Sequence, residues 1–152
     1  MQKITPFLWF DGKAEEAMLF YTSVFKHSAK GEIRRFPDGR VITASWTLEG
    51  QDFVGLNGGP MYKFTPATSW FVNCEDQAEV DDLWQKLLAD GGKPSRCGWL
   101  TDKYGVSWQI IPKALGQLLQ DKDAARAGRV MQAMMAMVKI DVAGLEKAAA
   151  GP

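Results

Sequence analysis

At 152 residues the chain is long enough for one domain with a real core, and 46% hydrophobic residues suit a globular protein. Eighteen basic residues cancel eighteen acidic ones, which leaves no electrostatic footprint for nucleic acid or an anionic membrane. No apolar run approaches a membrane span, and the opening MQKITPFLWF lacks the long apolar region of a signal peptide, so a cytoplasmic location is expected.

Taken in order, Ile4 to Phe10 alternates as a strand, with Thr5, Phe7 and Trp9 on one face and Pro6, Leu8 and Phe10 on the other. Asp11-Gly12 closes it. From Lys13, Ala14, Ala17, Met18, Tyr21, Val24 and Phe25 form one helical stripe, and Glu15 and Glu16 occupy the first turn, where the dipole favours acids. Glu32 to Phe36, a Pro37-Asp38-Gly39 turn and Arg40 to Leu48 read as a hairpin, and Asp52 to Asn57 as a third strand. Gly58-Gly59-Pro60 ends this unit, and the stretch MYKFTPAT links it to the next.

The order then repeats. Sliding the chain so that Thr5 falls on Ser69 lays Phe7 on Phe71 and Asp11 on Glu75, with Ala14, Glu15 and Leu19 on Ala78, Glu79 and Leu83. The second helix opens on Asp76-x-x-Glu79, close to a capping box, and Val80, Leu83, Trp84, Leu87 and Leu88 form its stripe. Gly91-Gly92 ends it, short strands follow around Lys93 to Thr101, and a duplicated strand, helix, three-strand unit is the result.

The closing stretch of the second unit is CGWLTDKYGVSWQIIP, residues 97 to 112. Asp102 to Gly105 supplies a turn, and Val106 to Ile111 a strand to which Pro112 puts a hard stop, because it bars continuation as a sheet-centre strand. Alternation puts Val106, Trp108 and Ile110 on one face and Ser107, Gln109 and Ile111 on the other. A buried amide needs partners, so Gln109 either bonds its neighbours across the sheet or faces a cavity. The Asp-x-x-Gly turn followed by a strand bearing Gln four residues after the Gly resembles the last strand of a module in the vicinal oxygen chelate (glyoxalase/bleomycin-resistance) superfamily. With Cys-Gly-Trp ahead of it and Ser-Trp-Gln inside it, the string is similar to the PhnB-like branch, often labelled "3-demethylubiquinone-9 3-methyltransferase domain".

That resemblance implies an α+β fold in one domain: two βαβββ modules, about 3–60 and 67–112, whose curled mixed sheets surround a concave cup, with helices on the convex side. Leu8, Phe10, Trp70, Val72, Cys74, Val106, Trp108 and Ile110 are then expected under helices. Thr5, Phe7, Trp9, Ser69, Phe71, Asn73, Ser107 and Gln109 are expected in the cup, together with Trp46 and, at the less certain end of the third strand, Asn57. Residues 113–150 read as a helical extension over Lys113 to Leu119, Asp121 to Lys139 and Asp141 to Ala149, similar to the C-terminal extension of PhnB-like proteins. Met131, Met134, Met135 and Val138 form its apolar stripe, read either as core or as a dimer contact, and Asp141 reads as a cap.

Metal-dependent members of the superfamily place His, Glu or Gln on the first and last strands of each module, because such ions need imidazole or carboxylate at about 2 Å. Here those positions fall on Thr5, Ser69, Gln109 and a residue within 55–57. Neutral oxygens of this kind predict no metal and no other cofactor. The single histidine, His27, reads as a surface residue, and Cys74 and Cys97 as reduced thiols. No phosphate loop, dinucleotide fingerprint or Ser-His-acid set is present, and the hairpin strands lack the parallel sheet and Gly-rich turn of a Rossmann-like methyltransferase. Three readings stay open: a metal-free small-molecule-binding protein; an enzyme (lyase, isomerase or transferase) using Asp102, Tyr104 or Gln109 on a small metabolite; and a dimeric scaffold whose cup is filled by its own aromatics. A small-molecule ligand and a second copy of the chain are the expected partners, with no nucleic acid and no membrane.

Overall fold

The computed structural model describes Gln2 to Pro152, which divide at Phe64/Thr65 into two compact units. The first contains β1 (Phe7–Phe10), α1 (Ala14–Val24), β2 (Ser28–Arg35), β3 (Val41–Leu48) and β4 (Gln51–Asn57). Its four-stranded sheet has the order β1-β4-β3-β2, with β1 parallel to β4 and the remaining pairs antiparallel. Strand β1 starts later than alternation suggests. Pro6 contributes only its carbonyl, which accepts from Val54 N, and Thr5 stays outside the strand.

One face of this sheet is covered by α1. Ala14, Ala17, Met18, Tyr21 and Val24 are the buried residues of the helix, and Leu8, Phe10, Ala44, Trp46, Leu48 and Phe53 are buried in the sheet. Period 3.6 on the helix meets period 2 on the strands, and the shared apolar surface holds the two layers together. Gly55 allows the close approach: a Cβ there would lie 3.0 Å from the Trp46 ring and 3.2 Å from Ala14 Cβ.

The second unit repeats the plan with β5 (Ser69–Cys74), α2 (Gln77–Leu88), β6 (Lys93–Pro94), β7 (Trp99–Thr101) and β8 (Ser107–Pro112). Its sheet has the order β5-β8-β7-β6, again with the first and last strands parallel. Helix α2 begins as its sequence dictates, because Asp76 Oδ1 accepts from Glu79 N at 2.9 Å. Its buried face, Val80, Leu83, Trp84 and Leu87, packs on β5, β7 and β8, where Cys74, Leu100, Trp108 and Ile110 are buried. Strand β8 lies inside its sheet, with Pro112 as its last residue. The proline is the hard stop that its missing N–H predicts.

Beyond β8 come α3 (Lys113–Leu119), α4 (Ala124–Met135) and α5 (Val142–Ala150). They gather around Leu115, Val130, Ile140, Leu145 and Ala149, with Met134 and Met137 packed alongside. The methionine stripe is thus divided. Met134 joins the core, whereas Met131, Met135 and Val138 are exposed, and α4 stops before Val138. Asp141 stands at the N-cap of α5 without a side-chain cap bond. Gln77 does that work instead: its Oε1 accepts from Val142 N at 2.7 Å and its Nε2 donates to Ile140 O at 2.9 Å. Among the described residues, no helix is long and apolar enough to cross a membrane.

Candidate functional site

In the second unit the face opposite α2 carries the polar residues. Ladder register places Ser69 beside Ser107, Phe71 beside Gln109 and Asn73 beside Ile111, and parallel partners share a face. Gln109 Nε2 donates to Ser69 Oγ at 2.9 Å, so the amide does bond across the sheet. Phe71, 53% exposed, and Asn73, also exposed, stand on the same face. Ser107 shares the register but not the access, since it is 1% exposed and its Oγ is buried without a hydrogen-bond partner. On the other side of Gln109 the antiparallel register sets Trp99 directly opposite. Sequence reading missed this residue. Alternation within the three-residue strand β7 was the only available signal, and it shows only once β7 is registered against β8.

Asp102 organises the turn before β8. It is buried, and its carboxylate accepts from Tyr104 N, Val106 N and Trp108 Nε1 at 2.9, 3.1 and 2.9 Å. Tyr104 is half-buried in the same turn.

In the first unit the face opposite α1 carries Phe7, 60% exposed, and the half-buried Trp9. The indole of Trp9 is already engaged: Nε1 donates to Gly59 O at 2.8 Å, and Tyr62 meets the ring edge-on at 4.9 Å. Thr5 Oγ1 sits near Gln2 Nε2, whose amide also pairs with the backbone of Asp52. Two expected binding residues fall elsewhere. Trp46 is a core residue on the α1 side, 2% exposed, stacked on Phe53 and tilted against Tyr21. Asn57 is half-buried and spends its amide on structure, with Oδ1 accepting from Ala14 N at 2.9 Å to cap α1 and Nδ2 donating to Val41 O.

The duplication also fixes a position the sequence left open. Phe7 pairs with Val54 as Phe71 pairs with Gln109, so the counterpart of Gln109 is Val54, one residue before the expected window of 55–57. An aliphatic side chain there cannot ligate a metal.

A shallow depression of about 530 Å³ lies elsewhere in the second unit, bordered by Arg129, Gln132, Gly144 and Lys147. Its most conspicuous polar group is committed, because Arg129 donates to Ala148 O and Ala149 O at the end of α5. We therefore place the candidate site at Gln109.

Comparison with known proteins identifies the family. Residues 2–111 match the family model described as 3-demethylubiquinone-9 3-methyltransferase. The chain belongs to this PhnB-like family of the vicinal oxygen chelate fold. A putative 3-demethylubiquinone-9 3-methyltransferase, PhnB protein, from Bacillus cereus is 43% identical over 73% of this chain and 99% of its own, with a TM-score of 0.68. A protein from Pseudomonas aeruginosa, 18% identical over 74% of this chain and 98% of its own, shares the fold at a TM-score of 0.61. So does the fosfomycin resistance protein FosX from Listeria monocytogenes, complexed with Mn(II) and sulfate, at 14% identity over 71% and 90% and a TM-score of 0.52. No match was found among curated proteins. The family match stops at residue 111, so α3 to α5 of this PhnB-like chain lie outside it.

The residues present do not fit a divalent metal of the kind the fold holds elsewhere. Ser69 and Gln109 bring a hydroxyl and a neutral amide joined by one hydrogen bond, where tight sites use imidazole, thiolate or carboxylate. Among the described residues, no group of three or more His, Cys, Asp or Glu is gathered to hold an ion.

Proposed function

We propose that this PhnB-like chain binds a small molecule on the face around Gln109 and does so without a divalent metal. The observation that carries this reading is the Gln109–Ser69 pair, a charge-free donor and acceptor set on a face where Phe71 remains 53% exposed. An aromatic surface beside a few oriented polar groups is the usual make-up of a small-molecule site. The exposure of Phe71 also speaks against a scaffold whose site is filled by its own aromatics. Methyl transfer, the activity in the family's name, has no support in the topology: each sheet has one parallel pair, not the doubly wound parallel sheet of a Rossmann-like enzyme.

The same reading has the chain act in the cytoplasm as a homodimer, with exposed Met131, Met135 and Val138 supplying apolar surface for a second copy. Its balanced charge favours neither nucleic acid nor membrane as partner. Metal analysis of the purified, dialysed protein tests the central claim. Substoichiometric metal is the expected result. One Zn, Ni, Mn or Fe per chain that survives dialysis and is lost in Gln109→Ala would refute it, and a monomer by light scattering at micromolar concentration would refute the dimer.

A further inference from the structure

Helices α4 and α5 lie antiparallel, since Arg129 in the first half of α4 bonds the last carbonyls of α5 and a short segment joins their other ends. The depression between them has a cause in the sequence. Arg129, Gln132 and Ala133 share one face of α4, and Gly144, Lys147 and Ala148 one face of α5, because residues three and four apart are neighbours on a helix. Ala133, Gly144 and Ala148 have no side chain beyond Cβ, so the facing ridges leave about 530 Å³ unfilled.

The charge around this space is one-sided. Arg129 and Lys147 border it and no acidic side chain does. Neither cation forms an ion pair among the described residues. Asp141 approaches only from beyond Gly144, where its Oδ2 lies 3.2 Å from the place an added Cβ would take. It caps the start of α5, whereas Arg129 stands at the end, the length of the helix away at about 1.5 Å per residue.

Arg129 is committed on one edge only. Its Nε donates to Ala148 O at 3.0 Å and its Nη2 to Ala149 O at 2.8 Å, which covers carbonyls that would otherwise repel an anion at the end of α5. Gly151 lies against the guanidinium, because an added Cβ there would stand 3.4 Å from Nη2. The group is therefore held before any ligand arrives. The Nη1 hydrogens and the second Nη2 hydrogen remain unspent, and this end-on edge is a planar donor pair that matches the two oxygens of a carboxylate.

We infer that the depression between α4 and α5 binds a small organic carboxylate, its oxygens on the free edge of Arg129 beside Lys147 and its short apolar body over Ala133 and Ala148. Every residue of this site lies beyond residue 111, where the family match ends. The site is thus separate from the face around Gln109, and its failure leaves that reading untouched.

Four probes separate its elements: 3-methylbutanoate, acetate, 3-methylbutanamide and inorganic phosphate, each titrated at constant pH and ionic strength into the full 15N-labelled chain. The Nε–H signal of Arg129 is assigned by its loss in Arg129→Lys. 3-Methylbutanoate is expected to shift this signal saturably, with half-saturation on the order of 1 mM for so open a site. It should bind roughly three- to ten-fold tighter than acetate or phosphate, which lack the apolar body, and roughly ten-fold tighter than the uncharged amide. Lys147→Gln, at an exposed position, is expected to weaken it roughly three-fold, and Arg129→Lys, which keeps the charge but loses the fork, roughly ten-fold, followed on the backbone amides of α5. Lys147→Gln keeps the test valid should Arg129→Lys loosen α5. A shift that grows linearly without saturating, equal binding of acetate, phosphate or the amide, or undiminished binding in Lys147→Gln would each overturn the inference.

Discussion

Asp102 holds Trp108 by the indole N–H, Nε1 to Oδ2 2.9 Å, inside the second unit, while the next residue, Gln109, turns its amide to the opposite face and bonds Ser69. Neighbours on one strand thus serve different ends. Trp108→Ala is expected to cost about 3 to 5 kcal/mol by leaving a cavity under α2. Asp102→Ala is expected to cost about 3 kcal/mol, since it strands two backbone N–H groups and the indole. Gln109→Leu, on a half-buried surface position, is expected to change stability by less than about 1 kcal/mol while weakening a bound ligand by about 1 to 3 kcal/mol. Urea denaturation of the three variants checks the stability order, and a Gln109→Leu protein as unstable as Trp108→Ala would show that the faces have been misread.

Gly58 lies flush against Trp9. A Cβ at residue 58 would stand 2.3 to 2.6 Å from the indole ring, closer than any real contact. Gly58→Ala is therefore expected to push Trp9 from the position in which it reaches Gly59 O and Tyr62, at a cost of about 1 to 3 kcal/mol. A red shift of tryptophan emission, absent when Trp9 is first replaced by Phe, would report the displacement. Unchanged emission would mean that the loop, not the ring, gives way.

The fold was legible because the two units carry the same alternation. Leu8 and Phe10 against Phe7, and Trp108 and Ile110 against Gln109, are sorted by period alone. What escaped was set by tertiary neighbours. Trp46 is as aromatic as a ligand-contacting residue, and only its stacking on Phe53 assigns it to the core. Asn57 offered an amide to any partner, and the nearest orphan donor, Ala14 N, took it. Val54 was hidden by one residue of register, an error that alternation cannot detect when one strand is read without its partner. The covering of Ile111 by helices that begin directly after β8 leaves no local trace at all, because an isoleucine on a strand reads the same whether an extension lies over it or not.

Cys74 is fully buried, and burial together with the nearby charge of Glu79 pushes its thiol up to about 12. The neutral thiol is the form the core accepts. In the unfolded chain the group ionises near its ordinary value of 9.0, so the unfolded state binds fewer protons between that pH and about 12. Stability is accordingly unaffected below about pH 9 and falls above it by at most about 1.4 kcal/mol per pH unit. Cys74→Ala should flatten this alkaline limb in denaturation curves taken from pH 8 to 11. In the native protein at pH 8, Cys74 should also resist alkylation by iodoacetamide until denaturant is added. Rapid native labelling would contradict the burial.

The C-terminal helices are latched to the rest of their unit at a few points. Cys97 N and Gly98 N donate to Met137 O and Val138 O, Gln77 clamps Ile140 O and Val142 N, and Lys139 pairs with Asp81 at 2.8 Å. Gln77→Ala removes the clamp without touching the apolar cluster, so the extension should open locally before the sheet unfolds. Hydrogen exchange at the Cys97 and Gly98 amides is expected to accelerate roughly ten-fold in this variant, with the amides of β3 and β4 in the first unit unchanged. Acid should act in the same direction. Hydrogen bonds from Lys139 and Gln77 hold the Asp81 carboxyl below its ordinary value of 3.8, so its contribution is present above that value and is lost as pH falls through the lowered one. Exposure of the pair keeps that contribution small. As the pH falls through that lowered value the wild-type protein should therefore move slightly toward the exchange pattern of Gln77→Ala, whereas an equal acceleration in both units would mean global destabilisation and no latch.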